Sequence, residues 1–202
     1  MTDTYKTIKS PSEGLYKDKG SKFLAFAYPF ENESEIKNII EPLRKEHFKA
    51  VHFCYAYRIG MDKTNFRTND DGEPSGSAGR PILNVLFSKE ITNILVVIVR
   101  YWGGTLLGVS GLINAYKSAT EEALTNAEII EKTVNDVYQI TFDYVQMNDI
   151  MKVVKDFDLK IRSQQFDNQC VIEIEFRQSI SQQVVGRFEK IEEIEVEFLR
   201  MV

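Results

Sequence analysis

The chain has 202 residues, 43% of them hydrophobic and 27% charged, a balance that fits a globular protein of one large or two small domains. Its net charge of −5 comes entirely from residues 129–202, where 14 acidic side chains outnumber 9 basic ones, while residues 1–128 carry 16 of each, so neither part shows the basic footprint of a general nucleic-acid binder. No apolar run approaches a membrane span, the start Met1-Thr2-Asp3-Thr4-Tyr5-Lys6 lacks a signal-peptide stretch, and Cys54 and Cys170 are too few and too far apart to suggest a disulfide framework; the chain reads as cytoplasmic.

The first predicted strand runs from Ser21 to Phe30, after a Lys17-Asp18-Lys19-Gly20 turn. Ser34 can cap a helix to about Glu46 that buries Ile36, Ile39, Ile40 and Leu43, with a kink or break expected at Pro42. A strand from Ala50 to Ile59 puts Val51, Phe53, Tyr55, Tyr57 and Ile59 on one face, and His52, Cys54, Ala56 and Arg58 on the other. A long polar loop follows, then an apolar segment from Ile82 to Phe87 that could be helix or strand. Ile94 to Val99 is apolar on both faces, as a central covered strand would be. Helical spacing of Leu112, Ile113, Tyr116, Ala119, Ala123 and Leu124 marks a helix from about Ser110 to Asn126.

Beyond a linker near Glu128 to Asn135 the pattern is strand (Tyr138 to Tyr144), helix burying Ile150, Val153, Val154 and Phe157, strands Leu159–Phe166 and Cys170–Phe176 joined at Asp167-Asn168, helix Ser179 to Ile191, and a last strand around Ile194, Val196 and Phe198. That β-α-β-β-α-β order is the ferredoxin-like arrangement. Its open sheet face would carry Gln139, Thr141, Asp143, Glu173, Glu175, Glu195 and Glu197, an acidic surface poor in stacking groups and better suited to a basic protein than to RNA.

Two dense segments flank the apolar strand. Asp70-Asp71-Gly72-Glu73-Pro74-Ser75-Gly76-Ser77-Ala78-Gly79-Arg80-Pro81 packs three carboxylates, two hydroxyls, three glycines and an arginine into twelve residues. The other is Arg100-Tyr101-Trp102-Gly103-Gly104-Thr105, which leads from a buried strand towards a helix and could aim free amides at an anion, with Arg80 and Arg100 as cationic partners. Equally, the glycines could serve packing and an arginine could pair with Asp70, Asp71 or Glu73. The spacing fits neither a Walker A loop nor a dinucleotide fingerprint. The carboxylates could hold a hard cation or simply form turns. His47, His52 and Cys54 lack a fourth ligand for zinc. Ser75 or Ser77 with His52 as base would give a hydrolase, though without a nucleophile-elbow setting. Tyr101 and Trp102 could stack a base or peptide, or anchor the loop.

The run Asp70 to Leu83 and the block Arg100 to Tyr116, with the strand Ala50-Val51-His52-Phe53-Cys54-Tyr55-Ala56-Tyr57-Arg58, resemble the hallmarks of the YigZ/IMPACT family, bacterial two-domain type. The resemblance departs at Leu106 and Asn114, where many relatives have lysine and arginine. It implies an α+β protein: an N-terminal domain, 1–130, like the second domain of a small-subunit ribosomal protein, and a ferredoxin-like C-terminal domain, 136–202, like the last domain of elongation factor G. Eukaryotic relatives restrain the amino-acid starvation response by engaging a translation-control scaffold, using an additional domain that this sequence does not show.

The expectation is therefore a translation-associated regulatory protein whose N-terminal cleft binds an anionic ligand, RNA phosphate or an acidic protein segment. The alternative is a small metal- or His-assisted hydrolase. Expected ligand-binding residues are His52, Asp70, Asp71, Glu73, Ser75, Ser77, Arg80, Arg100, Tyr101, Trp102, Gly103 and Gly104, with no metal and no cofactor. The ribosome, RNA or a translation factor is the expected partner, and no membrane.

Overall fold

The computed structural model describes residues 3–61, 64–167 and 169–202. The chain forms a two-part α+β protein with one compact unit at Tyr5–Lys132 and another made of Thr133–Val202 together with Asp3 and Thr4. A short two-stranded sheet pairs β1 (Thr4–Ile8) with β7 (Ile129–Thr133).

The first unit is built around β6 (Ile94–Tyr101), the middle strand of a five-stranded antiparallel sheet. Its neighbours are β3 (Ser21–Pro29) and β4 (His52–Ile59), with β2 (Ser12–Asp18) and β5 (Asn65–Asn69) at the edges. Every residue from Ile94 to Arg100 is buried because helices cover both faces. On one side Val96 and Ile98 join Ala25, Ala27, Cys54 and Ala56 beneath α2 (Gly79–Ser88) and α3 (Gly108–Thr125). On the other, Leu95, Val97 and Val99 join Phe26, Phe53 and Tyr57 beneath α1 (Ile36–Glu46). Each fully buried branched side chain contributes about 1.5–3 kcal/mol, so burying Ile94 to Val99 contributes substantially to the unit's stability. The two-faced reading of 50–59 agrees with the packing, although the strand itself starts at His52.

Several local expectations change. Asn32 rather than Ser34 supplies the cap, its Oδ1 accepting from the Ser34 amide, and a 3-10 turn at Glu33–Glu35 leads into α1. α1 runs unbroken through Pro42, whose missing N–H falls on the exposed side of the helix. The predicted loop after Ile59 contains β5, a largely polar edge strand held by its pairing with Tyr55–Ile59 and by Phe66 packing edge-on against Phe87. The segment 82–87 is helical, and α2 starts early enough to include Arg80 and Pro81, the proline sitting in the first turn where no N–H is needed.

In the second unit β8 (Asn135–Phe142), β9 (Lys160–Phe166), β10 (Cys170–Arg177) and β11 (Glu195–Met201) form an antiparallel sheet in the order β11-β8-β10-β9, the ferredoxin-like topology. α4 (Met147–Asp156) and α5 (Ser181–Phe188) cover one face, with Ile150, Val153, Val184 and Phe188 against Ile140, Phe142, Ile172 and Phe176. The strand ends at Phe142, so Asp143 is not part of the sheet and Tyr144 is exposed in a 3-10 turn. On the open face Glu175 is held by Lys160 and Arg162, each at 3.0 Å, and Glu173 faces Arg200 at 3.5 Å. Lys160, Arg162 and Arg200 thus offset three of the four carboxylates Glu173, Glu175, Glu195 and Glu197, so that face is only slightly acidic. The predicted Asp167-Asn168 hairpin turn includes Asn168, which lies outside the described residues.

Candidate functional site

Sheet register brings the site's polar residues together. Arg100 on β6 lies directly across from Phe23 on β3 and His52 on β4. Strand alternation turns Arg100 towards α2 and α3, where its guanidinium sits 5.4 Å from the Phe23 ring centroid. Glu73, from the loop before α2, comes down onto it. Its Oε1 accepts from Arg100 Nη1 at 2.5 Å and from the Tyr116 hydroxyl at 2.8 Å. These side chains are only 7% and 3% exposed, for Arg100 and Glu73, so this is an interior ion pair. Glu73 Oε2 lies 3.9 Å from His52 Nε2. Cys54 Sγ is 3.0 Å from the Asp70 carbonyl and 3.2 Å from the Tyr116 hydroxyl. Burial pushes the Cys54 thiol and the Tyr116 phenol far above their ordinary pKa values, with nearby acidic charge adding to the effect. Both stay protonated and act as structural donors.

The other carboxylates of the loop shape it. Asp70 Oδ1 accepts from the Ala78 and Gly79 amides at 3.1 and 2.8 Å, and Oδ2 from the Gly76 amide at 2.8 Å. It thus caps α2 from nine residues upstream. Asp71, in a left-handed conformation (φ 42°), accepts from Arg44 Nη2 and from the Phe53 amide, and its carbonyl accepts from His52 Nδ1 at 2.8 Å. The buried Ser77 hydroxyl donates to the Pro74 carbonyl at 2.6 Å, while Ser75 is exposed. Among the described residues no three His, Cys, Asp or Glu side chains gather in an arrangement that could hold a metal ion.

The second loop leaves β6 at Trp102. Gly103 packs against Gly20 so closely that a Cβ there would overlap the Gly20 and Ser21 backbone. Gly104 is open to solvent. Gly108 (φ 72°) lets the chain turn into α3, where Leu107 in the cap position offers no side-chain acceptor to the first-turn amides. The two loops meet at a cleft of about 600 Å³ lined by Val51, His52, Glu73, Pro74, Arg100, Trp102, Leu106, Leu107, Gly108, Val109 and Leu112.

Of the twelve residues expected to bind a ligand, His52, Glu73, Arg100 and Trp102 line this cleft, and Asp70, Asp71, Ser77 and Gly103 build the backbone around it. Two lie elsewhere. Tyr101 points to the opposite side of the sheet and bonds His47 Nδ1 through its hydroxyl at 2.9 Å, which also separates His47 from His52 and Cys54. Arg80 is exposed in a separate concavity between α2 and α3, with Asn84, Ser88 and Lys117. The sequence reading missed the apolar lining. Leu107, Val109 and Leu112 look like ordinary helix-face residues, and Leu106 was legible only as a missing positive charge. The cleft is consequently more apolar than a polar anion site would be.

Comparison with known proteins places this geometry in a family. The Impact N-terminal domain model matches residues 19–124, which span four of the five strands of the sheet (all but the edge strand β2), both loops and all but the last residue of α3. The chain is 34% identical over 150 residues to the IMPACT family member YvyE of Bacillus subtilis, covering 74% of this chain and 69% of that protein. It is 34% identical over 145 residues to the IMPACT family member YigZ of Escherichia coli, covering 71% of each. The crystal structure of a hypothetical protein superposes with a TM-score of 0.74 at 25% identity, covering 99% of both chains. The chain belongs to the IMPACT family.

Proposed function

We propose that this protein is a regulatory binding protein of the translation apparatus, and that its cleft holds a segment of a partner protein rather than an RNA phosphate. Membership of the IMPACT family supports the first half. The lining of the cleft supports the second, and it is the observation that carries the reading. The one cation at the floor, Arg100, is already neutralised by Glu73, which leaves little net positive charge for a phosphate backbone. The walls are apolar, and the rim is unusually so, with Trp102 58% and Leu106 83% exposed. Exposed apolar groups gathered around a concavity mark protein-interaction surfaces. The first-turn amides of α3 add a modest preference for a carboxylate.

The hydrolase alternative gains no support. Ser77 is buried and committed to Pro74, the Cys54 thiol is held protonated, and His52 is tethered by Asp71.

Sedimentation with ribosomes and translation factors across a salt series tests the proposal. The parent chain is expected to co-sediment with only shallow salt dependence, and a Trp102→Ser, Leu106→Ser double variant to be lost from the pellet. Steep salt dependence together with sensitivity to ribonuclease would favour RNA and overturn the protein-segment reading.

A further inference from the structure

The cleft presents three different demands within one space. Asp71's carbonyl can only accept a hydrogen bond, so His52 carries a proton on Nδ1, and in that tautomer Nε2 is an acceptor. Facing it at 3.9 Å is Glu73 Oε2, the oxygen that Arg100 and Tyr116 do not use. Two acceptors at that separation leave room for one donor from outside. On the same lining, Gly108 and Val109 begin α3 without a side-chain cap, which favours a carboxylate. Arg100 lies beside them in the lining with its Nε–H buried and unpartnered. The third demand is apolar and comes from Leu107 and Leu112.

We infer that the cleft recognises the free C-terminus of a partner polypeptide that ends in an apolar residue. Its α-carboxylate sits on the first turn of α3 near Arg100, its backbone N–H donates between His52 and Glu73, and its side chain packs against Leu107 and Leu112. A terminal residue carries all three groups on one Cα, whereas an internal aspartate or glutamate supplies a carboxylate without an apolar branch at the same carbon. Capture of a terminal carboxylate by backbone amides is an established mode of peptide recognition. The apolar surface continues outward over Trp102 and Leu106, and a cleft of about 600 Å³ exceeds the size of a single residue, so preceding residues of a chain fit better than a free amino acid. This inference rests on the protein-segment reading above and names which part of the segment is bound.

Trp102 is the only tryptophan in the chain, so its emission reports on the cleft rim directly. The full chain is titrated with a short synthetic peptide ending in leucine with a free carboxylate, the same peptide as its C-terminal amide, the same peptide ending in serine, and free leucine. The free-carboxylate peptide is expected to shift the Trp102 emission saturably. Amidation or the change to serine should each weaken binding about ten- to a hundred-fold, the loss of one charge-assisted contact or one buried side chain, and free leucine should bind more weakly than the peptide. Equal affinity for the amide would overturn the inference while leaving the protein-segment reading intact. No emission change with any peptide, or leucine matching the peptide, would also overturn it.

Discussion

Arg100 is held through Nη1 by an internal carboxylate, with its Nε–H left without a partner. Because it pairs with Glu73 inside the protein, Arg100→Met should destabilise the chain by about 3–5 kcal/mol by leaving a carboxylate buried and unpaired. Adding Glu73→Leu should restore most of that loss, since an apolar pair of similar volume needs no compensation. Urea unfolding of both variants checks this, and an Arg100→Met variant as stable as the parent would contradict it. Asp70→Ala should cost about 1–2 kcal/mol through loss of the α2 cap, and Asp70→Asn less, because asparagine keeps an oxygen for the Ala78 and Gly79 amides. The Arg100–Glu73 pairing was one of the alternatives that local chemistry left open. The Tyr116 contact to Glu73 was not legible, because it joins residues 43 apart through the tertiary fold and Tyr116 fits a plain core position in the helical pattern.

At the level of elements, periodicity found what packing itself decides. β6, β3, β4 and α3 each carry an apolar pattern matched to their burial, and the second unit's strand and helix order follows the same logic. β5 and the start of α2 were hidden because neither carries an apolar pattern of its own. β5 borrows its conformation from the β4 edge, and α2 depends on a distant Asp70. The second loop is in turn seated against the β2–β3 turn by the contact between Gly20 and Gly103. Gly103→Ala should therefore destabilise the chain by about 1–3 kcal/mol, the usual range for overpacking. Thermal unfolding measures it, and an unchanged midpoint would show that the β2–β3 turn yields instead.

Across the whole molecule, the unit formed by Thr133–Val202 with Asp3 and Thr4 is fastened by Arg177, which donates to both Asp3 carboxylate oxygens at 3.0 and 2.9 Å. Those hydrogen bonds, with a smaller one from Ser179, lower the Asp3 pKa from 3.8 to about 2. A carboxyl depressed in the folded state contributes stability that is full above its ordinary pKa and is lost as pH falls through the depressed value. The Asp3 contribution should thus persist down to about pH 4 and fade towards pH 2, and Asp3→Asn should flatten that part of the acid limb. Unfolding free energies of the two proteins over this range test it, and parallel curves would contradict it. Lys160, Arg162 and Arg200 offset three of the four carboxylates on the open sheet face, and the remaining acidic excess and lack of stacking groups mean that single-stranded RNA should not bind there. A titration of the full chain in which Glu195→Lys, Glu197→Lys fails to strengthen RNA binding at low salt would show that this face is not charge-limited.

The most direct test of the central claim is a photo-crosslinking side chain at Leu106, on the rim of the cleft, with a control probe at Val145, equally exposed in the other unit. With purified ribosomes and translation factors, the account predicts that the Leu106 probe joins a peptide of one of those proteins and that the Val145 probe does not join the same peptide. Crosslinks from Leu106 to RNA alone, or to no component of the translation apparatus, would contradict it.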